Sequence, residues 1–342
     1  MGVSRITLRD VAGACGYTVN TVSRALRGDP KLPESTRQKI REAAVRMGYI
    51  RNSLASSLRS GKSGNIAVIV NDVHNLHFCH MLTTMDRELR KAGYNIMVLC
   101  MGLNEDLAEH LIRSAISQAV DGILYFPYLN TAGHIEIMRK NNMPFVLLDR
   151  RIQDVVTDNV RCDDRQGGYQ AGVHLAKLGH KHYLFLSGEN RSSSQVDRLD
   201  GFMQAMKEYG IPDNDIRVVP GELVEPALAE GRMRELLFPL DYTAIVSFRD
   251  ELSYAVMLEL ADMGYEIPRD MSIISFDHLR GEIPYLPKIT SIFADGDNVA
   301  SEGVHLLLDR IAHPDQEPQV IILPVHLFDE GTTAPPAVSS KG

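Results

Sequence analysis

The stretch Thr7–Leu26, TLRDVAGACGYTVNTVSRAL, carries the punctuation of two short helices around a tight turn. Thr7 followed three residues later by Asp10 has the form of a capping box, and Leu8, Val11, Ala12 and Cys15 recur at helical spacing until Gly16 stops the run. Thr18 is a suitable cap for a second helix over Val19–Leu26, with Val22, Ala25 and Leu26 on its apolar side. A third helix, from near Pro33, sets Ile40, Ala43, Ala44 and Met47 on one face and ends at Gly48. Ala12 is small where the first two helices must approach. This is the plan of a helix-turn-helix, in which the exposed start of the second helix enters a DNA major groove. Val19, Asn20 and Arg24 stand there to read base edges, and the hydroxyls of Thr18, Thr21 and Ser23 suit phosphates. A three-helix protein-binding bundle is the alternative.

The charge distribution favours the polyanion. Residues 1–62 hold 12 Lys+Arg against 4 Asp+Glu, whereas the other 280 hold 24 against 40, inside a net charge of -8. With 342 residues, 44% hydrophobic and 23% charged, the chain is long enough for two or three ordinary globular units. No apolar run is long enough to span a membrane, and the N-terminus lacks the pattern of a signal peptide, so a cytoplasmic location is expected. Cys15, Cys79, Cys100 and Cys162 show no paired spacing and are expected to be free, buried thiols.

After the third helix, Ser53 and Gly61 bracket about six residues of helix. A helix so short needs a partner to stay ordered. Leu58 on it suits a wedge between base pairs in the minor groove, a Ser-rich tether being the bland alternative. Taken together, Thr7–Leu26, Glu34-Ser35-Thr36-Arg37, Met47-Gly48-Tyr49 and Asn52–Leu58 resemble the start of the lactose/galactose-repressor (LacI/GalR) family of transcription factors. The resemblance implies that Val19 and Asn20 are the specificity pair, Arg24 a third reading position and Leu58 the hinge-helix leucine. It adds Thr7, Asn52, Ala55 and Arg59 to the DNA-facing set.

From Ser63 onward the pattern alternates. Strand-length apolar runs lie at 66–70, 96–100, 122–126, 145–149, 183–187, 218–220, 244–248, 273–277 and 289–293. Helical stretches between them fall at 81–92, 107–119, 168–178, 199–209, 228–237, 252–263 and 299–311. Alternation of this kind predicts an α/β fold with parallel sheets and ligands at the strands' C-terminal ends. The length calls for two lobes and a cleft. Asp149-Arg150, Leu175–His180, Arg198–Phe202, Ile267–Asp270 and Ser275-Phe276-Asp277 continue the resemblance over nearly the whole chain.

By resemblance the organisation is a helix-turn-helix head (1–50), a hinge helix and linker (51–62), and a two-lobed, periplasmic-binding-protein-like effector and dimerisation domain (63–342). One lobe takes about 63–160 plus 293–324, the other about 161–292 plus 325–335, with three crossings between them. The implied activity is that of a ligand-responsive repressor binding a palindromic operator as a homodimer. The tail Gly331–Gly342, GTTAPPAVSSKG, lacks a leucine heptad for tetramers. The effector is a small molecule: a sugar, sugar acid or phosphate, purine or nucleoside. His77, Phe78, Asp149, Ser192, Ser194, Arg198, Leu223, Arg249 and Asp277 are the residues implied to face it.

Two of these depart from the family pattern. Arg249 stands where Asn is usual, and Leu223 where some relatives place an aromatic. Two guanidiniums, Arg198 and Arg249, in one cleft point to an anionic ligand unless carboxylates neutralise them, Asp149, Asp250 and Asp277 being the internal candidates. A two-lobed enzyme or a ligand-binding module with a basic accessory domain are the competing classes. GxSxG, HExxH and GxGxxG are all absent, and Gly61-Lys62-Ser63 lacks the upstream glycine of a phosphate loop. The cluster His74, His77, Cys79, His80 has one-face spacing but sits where a strand turns into its helix, so neither metal nor cofactor is expected.

Overall fold

The computed structural model describes residues 6–50, 62–102, 105–128, 131–188 and 192–337, in two compact units that divide after Ser63. Among its described residues the first unit holds three helices, α1 (Leu8–Cys15), α2 (Val19–Leu26) and α3 (Glu34–Arg46). Thr7 and Asp10 close the reciprocal capping box, the Thr7 N–H donating to Asp10 Oδ2 at 2.8 Å, and Gly16 ends α1 at φ +72°. Pro33 precedes α3 as its cap residue, one position earlier than the sequence places it. Val11, Ala12, Val22, Ala25, Ile40 and Ala44 form the core. Each fully buried Val or Ile there is worth about 1.5–3 kcal/mol, enough to hold helices too short to persist alone. Asn52, Ala55, Leu58 and Arg59 lie outside the described residues.

The second unit is built on two six-stranded sheets. The first is ordered β11-β5-β4-β3-β1-β2, from β1 (Asn65–Val70), β2 (Asn95–Cys100), β3 (Gly122–Tyr125), β4 (Phe145–Leu148), β5 (Asn159–Cys162) and β11 (Val320–Leu323). The second is ordered β12-β10-β9-β8-β6-β7, from β6 (Tyr183–Leu186), β7 (Ile216–Val219), β8 (Ala244–Ser247), β9 (Ser272–Phe276), β10 (Thr290–Ala294) and β12 (Val325–Phe328). All the pairings are parallel except β10 with β12. Central strands such as β3, β4, β6 and β8 are buried throughout, as strands covered by helices on both faces must be. The chain passes between the sheets three times: after β5, after β10, and at Pro324, the one residue separating β11 from β12.

The covering helices are α4 (Leu76–Lys91), α5 (Glu105–Ser117), α6 (Gly133–Lys140), α7 (Asp164–Lys177), α8 (Ser193–Glu208), α9 (Gly221–Ala229), α10 (Met233–Leu237), α11 (Asp250–Asp262), α12 (Leu279–Glu282) and α13 (Gly296–Ala312). Several begin earlier than apolar periodicity places them, because their first turns are polar. The expected helix at 228–237 is two, parted at Gly231 with φ +67°. Helices α7 and α8 meet backbone to backbone. A Cβ at Gly168 would overlap the Arg198 carbonyl, and one at Gly201 the Arg165 carbonyl. The cysteines are free, but only Cys162 is buried; Cys100 is exposed on β2, an edge strand. Beyond β12 the chain is pinned to the second sheet, with Thr332 Oγ1 accepting from Thr290 N at 2.8 Å and donating to the Ile273 carbonyl at 2.7 Å.

Candidate functional site

On the first unit, Val19, Asn20, Ser23 and Arg24 share the side of α2 opposite its buried Val22 and Ala25. Val19 is 43% exposed, an apolar side chain held out in water at the start of a helix. The hydroxyls are partly committed. Thr18 Oγ1 accepts from Thr21 N at 3.1 Å and meets Thr21 Oγ1 at 2.9 Å, and Thr7 Oγ1 donates to Asp10 at 2.7 Å. Asp29, beyond the end of α2, holds Arg24 Nε at 2.8 Å and so fixes where the guanidinium stands. Helical spacing alone does not signal that pair.

In the second unit the C-terminal ends of β1, β4, β6, β8 and β9 converge on one cleft. His77 and Phe78 come from the first turn of α4, whose cap Asn75 accepts the His77 N–H at 2.9 Å. Asp149 leaves β4 at φ +66° and Asp277 leaves β9 at φ +94°, left-handed backbone that turns both carboxylates aside from their strands. Ser194 and Arg198 come from α8 and Arg249 from the cap of α11. An inner chamber of about 30 Å³ is lined by His77, Phe78, Asp149, Ser194, Arg198, Arg249 and Asp277, together with Asn75, Arg150 and Phe248. An outer chamber of about 640 Å³ shares Asn75, Phe78, Arg150, Phe248 and Arg249 with it, and adds Asn71, Asp72, His74 and Glu225 among others.

Arg198 is the most constrained group. Its Nε donates to Asp164 Oδ1 at 2.7 Å, its Nη1 to the Phe248 carbonyl at 2.6 Å, and its Nη2 lies 3.6 Å from Asp277 Oδ1. The guanidinium is sandwiched between the rings of Phe248 and Phe276, at 4.6 and 4.5 Å. Burial favours losing its charge, but Asp164 and Asp277 outweigh that and hold it protonated. Burial likewise works to raise Asp149, yet His77 at 3.8 Å, Arg150 and Arg198 hold it down at about 2, so it is a carboxylate at any physiological pH. Asp250 goes the other way. Buried and beside Asp277, it is raised to about 7 despite accepting from Leu279 N at 2.8 Å and Ser291 Oγ at 2.9 Å.

Two expectations change. Leu223, on α9, is 53% exposed and lines neither chamber; Val224 and Ala227 of that helix face the lobe core, and Glu225, Pro226, Leu228 and Ala229 reach the cleft instead. Arg249 is not an unneutralised cation. Glu225 grips it at 2.6 and 2.9 Å and Glu251 at 3.2 Å. With Arg198 paired as well, the charge argument for an anionic ligand falls. Ser192 is buried as the cap of α8, its Oγ accepting from Gln195 N at 3.2 Å, and stands behind Ser194. Asp164, Glu225 and Glu251 escaped the sequence reading because each partner is distant in the chain or lies in a polar first turn.

The described residues contain no helix long and apolar enough to cross a membrane and no group of His, Cys, Asp or Glu placed to hold a metal ion. The family model for bacterial regulatory proteins of the lacI family matches residues 7–52, and the one for periplasmic binding proteins and the sugar binding domain of the LacI family matches 63–331. Catabolite control protein A of Priestia megaterium is 28% identical over 320 residues, 93% of this chain and 96% of its own. A transcriptional repressor PurR of Actinobacillus pleuropneumoniae is 27% identical, covering 89% and 91%. Among solved structures, a LacI family regulator from Enterococcus faecium with bound ribose is similar at TM-score 0.71 and 29% identity, over 79% of this chain and 99% of that one. The lac repressor dimer bound to operator shares the fold at TM-score 0.83 and 22% identity, over 97% and 100%.

Proposed function

The chain belongs to the LacI family of bacterial regulatory proteins, and from that premise we propose a repressor whose grip on operator DNA is set by an uncharged sugar in the interlobe cleft. The observation that carries the sugar reading is the wall chemistry of the cleft. Aromatic rings of Phe78 and Phe248 offer apolar faces, while the ionised Asp149, the Asp277 side chain and the fixed Arg198 offer acceptors and donors. A sugar ring presents the same combination, C–H faces and a rim of hydroxyls, and hydroxyls donating to a carboxylate make charge-assisted bonds. The ribose carried by the Enterococcus faecium relative is of this class.

On the head, Val19, Asn20 and Arg24 are proposed to read the major groove, Asn20 suiting adenine and Arg24 guanine. One such head covers a half-site, so the active form is a homodimer on an inverted repeat. Leu258, 70% exposed, and Tyr285, 87% exposed, are large apolar side chains on the second lobe that suit a subunit interface.

The test is fluorescence anisotropy on a labelled duplex from the region upstream of the chain's own gene, with and without a panel of neutral sugars. Saturable, salt-sensitive binding that a sugar alters supports the reading. Binding insensitive to every neutral sugar, in a protein whose melting none of them shifts, overturns the sugar assignment.

A further inference from the structure

Arg249 lines both chambers and is gripped by two carboxylates of the second lobe. Glu225, reaching from α9, takes its two terminal nitrogens, and Glu251, from the first turn of α11, takes Nε. The three side chains are only 14%, 22% and 25% exposed, so their mutual attraction is poorly screened by water. Glu251 also reaches across the cleft, its Oε1 accepting the Leu76 N–H of the first lobe at 3.0 Å. With Asp72 the outer chamber therefore shows three carboxylates against Arg150 and Arg249. Arg150 in turn sits 3.9 Å from Asp149, and a suitably turned Asn71 amide accepts from its Nη1 at 3.0 Å.

We propose that Glu225 and Glu251 are specificity-determining residues of the cleft: by occupying Arg249 they reject anionic ligands, such as sugar acids and sugar phosphates, and admit uncharged polyols. This rests on the cleft being the effector site. An incoming phosphate or carboxylate would have to displace a bidentate carboxylate from Arg249 and then remain beside it, with no second unpaired cation among the described lining residues to repay the desolvation. A hydroxyl meets no such barrier, since it donates to the outward lone pairs of the same carboxylates. Arg249 thus acts as a strut for two acidic walls and not as an anion receptor.

The experiment compares full-length wild type with Glu225→Gln/Glu251→Gln, an isosteric change that keeps the acceptor for Leu76 N and deletes both charges. Thermal shift and calorimetry are read with D-glucose, D-glucuronate, D-glucose 6-phosphate and inorganic phosphate. The wild type is expected to show no saturable binding of the three anions. The double variant should gain at least about tenfold in affinity for one or more of them, the difference between an occupied and an available bidentate guanidinium, and adding Arg249→Ala should abolish the gain. Should the double variant fail to fold, Glu225→Gln alone, which leaves the Glu251 bridge intact, reads the same outcome. A wild type that binds an anion and loses it on Arg249→Ala overturns the proposal, as does a folded Gln variant that gains nothing. Failure of every neutral sugar to alter DNA binding would count against the effector assignment instead, and is read separately from these anion titrations.

Discussion

Gly168→Ala should destabilise the second unit, although the same change in an open helix stabilises. Alanine gains about 1 kcal/mol over glycine from helix propensity alone. Gly13, inside α1 with nothing within 4 Å of its would-be Cβ, shows that case, and Gly13→Ala should raise the stability of the first unit by up to that amount. At Gly168 the added carbon falls on the Arg198 carbonyl, its carbon and its Cα, all backbone atoms that no rotamer change can move. Overpacking costs about 1–3 kcal/mol, and a backbone collision belongs at the upper end, so the net loss is about 2 kcal/mol. Helices α7 and α8 must part to admit the methyl, which stretches the 2.7 Å bond between Asp164 on one and Arg198 on the other. Stability and ligand affinity should therefore fall together. Urea denaturation, followed by probes that resolve the two units, measures the first and calorimetry the second. An unchanged or raised midpoint for Gly168→Ala would show that the two helices do not touch through their backbones.

Asp250 makes stability depend on pH. Its folded pKa of about 7 lies above the roughly 3.9 of an unfolded aspartate, so between those values the folded chain holds a proton that the unfolded chain has released. Stability should fall as pH rises from 4 to 7, by at most on the order of 4 kcal/mol, and Asp250→Asn should flatten that slope in melting curves. Arg198→Ala leaves Asp164 and Asp277 buried without their cation and should cost about 3–5 kcal/mol, whereas Arg198→Lys restores the charge but not the two-ring sandwich or the forked bonds; sugar titration should show both variants impaired. Asn20→Ala should lose about 1–3 kcal/mol of discrimination at one base pair per half-site, and Asp29→Ala, by releasing Arg24, should relax preference at another. Binding to a set of single-substitution operators reads both, and a uniform loss across all sequences would refute the base-reading assignment.

How far the sequence foretells the structure differs between core and cleft. The head is legible almost to the residue because capping box, Gly16 stop and apolar spacing all agree on the same three helices. The βα alternation is legible too, since central strands such as Ile66–Val70 are continuous apolar runs. What escapes is the edge and the first turn. β5, NVRC, carries Asn159 and Arg161 among its four residues, and β11 is partly exposed, so neither reads as a buried strand. Helix α4 begins at Leu76, not 81, and α8 at Ser193, not 199, because their opening turns face the cleft and carry the residues that line it. Apolar periodicity is blind to a turn that faces a polar cleft. Arg249 illustrates the remaining limit: its residue type was visible, but its meaning depends on Glu225, 24 positions earlier on a separate helix.

The join at Pro324 bears on how the chain is made. Residues 320–323 complete the edge of the first sheet against β5, and 325–328 complete the second against β10, so one short passage finishes both. Until it leaves the ribosome, β5 and β10 each present an unpaired edge, open to pairing with another nascent chain. A polypeptide ended after α13 would keep the strands β1 to β10 yet close neither sheet. The lobes are separate as architecture but share their last stitch, and neither can be cut from the gene as a continuous piece.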